Sequence, residues 1–175
     1  MNFMIKFTKI MDTIQAKLAV PVKWLLFAFM ALVCYEVTMR YVFVAPTIWG
    51  LDFRQQIYAV LIMVGCGYTL MVKGHVVVEA FTMLPPFRTR KLIAAAMWLF
   101  CYMPPMLVLV YTMFNITVLS WSVWEGTSSI WNPPAYPLKT VLTIAYANMV
   151  LQGIAELFKE IISYVKGSED WIKAR

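Results

Sequence analysis

Residues 20–44 read VPVKWLLFAFMALVCYEVTMRYVFV: twenty-five positions with one acid, Glu36, and two bases, Lys23 and Arg40. A helix rises 1.5 Å per residue, so about 20 mostly apolar residues cross a hydrocarbon layer of roughly 30 Å. Three further apolar segments follow, over about 57–72, 92–119 and 138–158. The second is short for a crossing unless Arg54 and Lys73 extend to the interface.

Upstream, Phe3, Ile5, Phe7, Ile10, Met11, Ile14 and Leu18 recur near the helical period, with Lys6, Lys9, Asp12 and Lys17 between them. That pattern predicts an amphipathic helix over 1–19 lying on the membrane surface. The first apolar run starts only near Val20 and no Ala-x-Ala site follows, so the first span is expected to be a retained signal-anchor. The fold class is therefore an all-α membrane protein: one domain over 1–175, with four transmembrane helices and an N-terminal interfacial helix.

Composition agrees. The 175 residues are 62% hydrophobic and 14% charged, with seven tryptophans, against about 45–50% and 25% in soluble domains. The net charge is +6, but its bases sit in the gaps between apolar runs. This reads as orientation signals and contacts to anionic membrane lipids, with no nucleic-acid partner. Twelve bases fall on one side: Lys6, Lys9, Lys17, Lys23, Lys73, Arg88, Arg90, Lys91, Lys159, Lys166, Lys173 and Arg175. Arg40, Arg54 and Lys139 fall on the other. Both termini are thus expected in the cytoplasm, with the connections near 45–56 and 120–137 facing outward.

Those outward connections carry Pro46, Trp49, Trp121, Trp124, Trp131, Pro133, Pro134 and Pro137. Tryptophan anchors depth at the headgroups and proline stiffens a loop. The segments suit a docking surface, or an ordinary aromatic belt. Glu36 and Arg40, four apart, share a helical face. They read as an internal ion pair or as a charged contact to another subunit. A guanidinium one turn away favours a fixed pair over a proton carrier. Asp52 and Arg54 start the second span, as cap and depth markers or as partner contacts.

Gly65-Cys66-Gly67 permits close helix approach in the second span. Pro104-Pro105 should bend the third. His75, beside Gly74, is the sole histidine; bis-histidine haem ligation needs two. Cys34, Cys66 and Cys101 lie inside apolar runs without a CxxC pair, which argues against disulfides or zinc. No catalytic, cofactor or metal motif appears, and the chain is expected not to be an enzyme.

Three places carry a resemblance. They are Arg40-Tyr41-Val42-Phe43 with Pro46 and Trp49; Gly74-His75-Val76-Val77-Val78; and Trp131-Asn132-Pro133-Pro134-Ala135-Tyr136-Pro137-Leu138-Lys139. Their order on a four-span chain resembles the small membrane subunit (DctQ-like) of tripartite ATP-independent periplasmic transporters. One departure is that Trp49 is followed by Gly50, Leu51 and a single Asp52, where the family commonly has an acidic run. The resemblance implies a non-catalytic subunit, without cofactors, in a bacterial inner membrane. It would brace a large, sodium-coupled permease subunit and help dock a periplasmic substrate-binding protein that delivers organic acids. It points to Arg40, Trp49, Asp52, Trp131, Pro133, Pro134 and Tyr136 at the outer face, and to Gly74 and His75 at the inner face. A self-sufficient small transporter using Glu36, or the anchor of a redox complex, are the alternatives.

Overall fold

A computed structural model of the chain describes residues 2–72 and 86–167. Four long helices account for most of it: α1 (Asn2–Tyr41), α2 (Gly50–Met71), α3 (Phe87–Ser122) and α4 (Tyr136–Lys166). α1, α3 and α4 are each long and apolar enough to cross a membrane. α2 has the length, at 22 residues. Its first two turns, however, carry Asp52, Arg54, Gln55 and Gln56, which dilute its hydropathy.

α1 departs from expectation. No break separates residues 2–19 from the first span; one 40-residue helix, about 60 Å long, runs through Pro21. Proline costs one backbone donor there, but the packing stripe continues across it. Thr8, Gln15, Val22, Phe29 and Glu36 recur every seventh residue. Thr8, Gln15 and Glu36 are buried, and Val22 and Phe29 half-buried. A seven-residue repeat keeps one face against its neighbours for the whole length. The amphipathic segment therefore packs on the bundle: Phe7 sits edge-on to Phe158 at 5.8 Å, and Asp12 reaches Lys159 at 2.7 Å.

Pro104 and Pro105 do not simply kink α3. The helix passes through a π turn at Trp98–Tyr102 and resumes as α-helix at Met103. The rings would collide with carbonyls four residues back, at Phe100 and Cys101, and widening the preceding turn relieves this. The turn also aims Tyr102 at α4, where its hydroxyl donates to the Met149 carbonyl at 3.1 Å. A side chain at Gly153 would collide with the Tyr102 ring.

α4 is central: it packs against α1, α2 and α3, whereas α1 lies mainly on α2 and α4, and α3 chiefly on α4. Met106, Met149 and Val150 form the core, with Cys66, Tyr102, Val110 and Ile154 around it. Pro137 lies in the first turn of α4, where its missing donor costs nothing. Gly167 closes the helix in the left-handed region at φ 70°, its N–H donating to the Ser163 carbonyl at 2.9 Å. Consecutive helices run antiparallel. Residues 2 and 167 thus share one end, the terminal end, while 42–49 and 123–135 form the other, the loop end.

Candidate functional site

At the loop end Glu36 is turned into the bundle and meets two guanidiniums. Arg40 Nη2 donates to Oε1 at 3.0 Å from the next turn of α1. Arg54 Nη1 on α2 faces Oε2 at 3.1 Å. The carboxylate is 3% exposed, but Arg40 and Arg54 are 50% and 31% exposed. One acid between two bases leaves a net positive charge, and Arg40 presents it to the surroundings. A Cβ on Gly50 would lie 3.1 Å from the Glu36 carboxyl carbon, so this helix start must approach closely. Trp49 stacks on Tyr35 at 6.1 Å and meets Phe53 edge-on at 6.3 Å, tying the 42–49 loop down to both helices.

Asp52 is buried and accepts a hydrogen bond from Ser129 Oγ at 2.6 Å, which holds the 123–135 segment over the start of α2. That segment folds back on itself. Gly126 and Pro134 pair antiparallel, the Thr127 N–H donates to the Pro133 carbonyl at 2.9 Å, and Ala135 N–H donates to Glu125 at 2.8 Å. At its base Lys139 donates to the Glu125 carboxylate at 2.5 Å and to Ser120 at 2.7 Å. The hydrogen bonds from Lys139, then from Ser120, hold the Glu125 carboxyl below its ordinary range. Tyr136 packs against Trp121 at 4.4 Å and Trp124 at 5.4 Å. Trp131, Pro133 and Pro134, with Phe53 and Leu25, line an apolar groove of about 470 Å³ between α1, α2 and α4.

The structure thus gathers Glu36, Arg40, Trp49, Asp52 and Arg54 into one corner, places Trp131, Pro133 and Pro134 on the groove beside it, and sets Tyr136 in a separate aromatic cluster. The two glycines of the Gly65-Cys66-Gly67 run differ. A Cβ on Gly67 would lie 2.6 Å from Gln15 Oε1, whereas on Gly65 the nearest atom is Val22 at 3.8 Å. Of this pair, close approach is therefore required at Gly67 and not at Gly65. Gly74 and His75 lie outside the described residues.

A second polar cluster, absent from the sequence reading, occupies the terminal end. Lys159 Nζ bridges Asp12 of α1 at 2.7 Å and Glu156 of its own helix at 2.5 Å. Gln152 Nε2 donates to Glu156 at 3.1 Å. The Gln15 amide, fully buried, lies against Gly67 and has no hydrogen-bond partner among the described residues. Lys91 pairs with Glu160 at 2.8 Å, both buried. Lys91 and Lys159, read from sequence as charges at the membrane surface, are therefore interior ions. A signal was present: Gln152, Glu156, Lys159 and Ser163 recur at spacings of four, three and four, a polar stripe on one face of an apolar helix.

Long apolar helices with polar groups concentrated at the two ends define a multi-pass membrane protein. The family model for the DctQ component of tripartite ATP-independent periplasmic transporters matches residues 29–162, more than half of the chain, and the chain belongs to that family. The resemblance read from the three motifs is thereby confirmed. Among curated proteins no relative matches.

Proposed function

We propose that the chain is the non-catalytic small membrane subunit of a sodium-coupled, binding-protein-dependent transporter for organic acids. It crosses the inner membrane four times, with α2 as the second crossing and both termini cytoplasmic. It braces the large permease subunit and helps dock the periplasmic substrate-binding protein at the loop end. Family membership over residues 29–162 carries this reading. Three features support it further: the apolar outer faces of α1 and α3, the stiff loop end held by the Asp52–Ser129 and Lys139–Glu125 contacts, and the excess of bases at the terminal end.

Reconstitution in vesicles tests it. Solute flux is expected only when the chain, the large subunit and the binding protein are combined under a sodium gradient. Flux through the chain alone would overturn the reading in favour of a small autonomous carrier built on Glu36. Labelling of single cysteines at residues 2 and 167 should find both on the cytoplasmic face.

A further inference from the structure

Between Lys91 and Glu125, α3 has no charged residue, and its polar groups fall on two opposite faces. On the face toward α4 they are satisfied. Thr117 Oγ1 and Thr143 Oγ1 are 2.8 Å apart, and Ser120 Oγ accepts from Lys139 at 2.7 Å. On the far face Ser122 Oγ, at the helix end, donates to the Leu119 carbonyl at 2.7 Å, but Asn115 makes no such bond. At about 100° per residue, Asn115, nine positions past the core residue Met106, points roughly 180° away from α4. It is exposed and has no hydrogen-bond partner among the described residues. Val108, Tyr111 and Leu119, at 62%, 70% and 63% exposure, share its face, and Thr112 lies beside them.

Depth makes this informative. Asn115 lies six residues, about 9 Å, inward from Trp121, whose indole donates to Thr140 at 2.9 Å beside the Tyr136 cluster. Aromatic residues of this kind mark the membrane interface, which puts the Asn115 amide in hydrocarbon. Lipid tails cannot satisfy two donors and an acceptor, so polar side chains at this depth face protein or water. Asn148 of α4, deeper in the bundle by the register of the Thr117–Thr143 contact, is half-buried instead.

Resting on the proposed role as a small transporter subunit, we infer that the Val108–Tyr111–Asn115–Leu119 face of α3 docks a membrane-spanning helix of the large subunit. That helix presents a neutral hydrogen-bonding side chain (Ser, Thr, Asn or Gln) opposite Asn115. The occupant is neutral because the stripe carries no charge to pair. It is a helix because only a helix satisfies its own backbone at this depth while meeting a straight stripe over several turns. The α1 outer face at Phe27, Met30 and Ala31 is purely apolar and exposed, and is left to lipid.

The test uses the full transporter, with the photo-crosslinking residue p-benzoylphenylalanine at Val108 or Leu119, and at Phe27 or Met30 as controls. Crosslinks to the large subunit are expected from the α3 positions and not from α1. Asn115→Leu should lower recovery of the large subunit roughly three- to tenfold, the range of one interhelical hydrogen bond, with Asn115→Gln restoring much of it. The melting temperature of the isolated chain should not change. Crosslinks from α1 alone, crosslinks to a second copy of this chain, or full recovery with Asn115→Leu would overturn the inference. In those cases continued co-purification of the large subunit would leave the proposed function standing. Failure of the wild-type chain to co-purify with the large subunit would overturn both.

Discussion

At the loop end, Glu36 meets two arginines that stay partly in solvent. At the terminal end, Lys159 meets Asp12 and Glu156 with 4% of its own surface left. The first cluster joins a helix to its immediate successor. The second joins the first helix to the last, across 147 positions of sequence. Exposed pairs contribute about 0–1 kcal/mol, whereas removing one member of a buried pair strands a charge and costs about 3–5 kcal/mol. The two ends therefore have different work. One leaves positive charge at an exposed surface, and the other fastens the bundle.

Lys159→Met is the largest break in that comparison. With Asp12 and Glu156 left facing each other, the melting temperature in detergent should fall by the equivalent of about 3–5 kcal/mol. Adding Asp12→Asn and Glu156→Gln should recover part of the loss, because no charge is then stranded. Next comes Gly67→Ala, where a methyl group would press on the buried Gln15 amide. A loss of about 1–3 kcal/mol is expected, while Gly65→Ala, with ordinary contacts, should stay within about 0.5 kcal/mol.

Glu36→Gln should cost less than Lys159→Met, about 1–2 kcal/mol, because its arginines can turn to water. A charge-swap cycle sharpens the point. Glu36→Arg combined with Arg40→Glu should rescue only in part, since the new arginine meets Arg54, and adding Arg54→Glu should improve the rescue. Full rescue by the double swap would show that Arg54 does not share the carboxylate.

The smallest effect is at Glu125. Its carboxyl is held below its usual range by Lys139 and Ser120, so the contact's contribution is present above the ordinary carboxylate pKa. It is lost as pH falls through the depressed folded value. Tryptophan fluorescence from Trp121 and Trp124 should show a small change on acidification, below the usual carboxylate range, that Glu125→Gln abolishes.

Much of the loop end was legible because its contacts are local. The i,i+4 spacing of Glu36 and Arg40, and the tryptophans and prolines at 46–49 and 131–137, can be read within one or two turns. The partner of Asp52 could not be read, because Ser129 lies in a segment whose fold-back depends on packing over α2. The terminal end was misread for a related reason. Lys91 and Lys159 resemble interfacial cations when each helix is considered alone. The uninterrupted α1 was missed because the change from amphipathic to apolar pattern near Val20 suggested a boundary, while the seven-residue stripe crossed it.

Apolar length and helical period, both properties of single segments, were determined by the sequence: membrane-crossing helices, charge gathered between them, a distortion near Pro104-Pro105, and a family legible in three motifs. Which charges are buried, which of Gly65 and Gly67 must stay small and which way Asn115 points were decided only by tertiary structure. Those depend on what lies opposite each residue, and in a membrane bundle the hydropathy of a helix does not reveal which of its sides meets a neighbour.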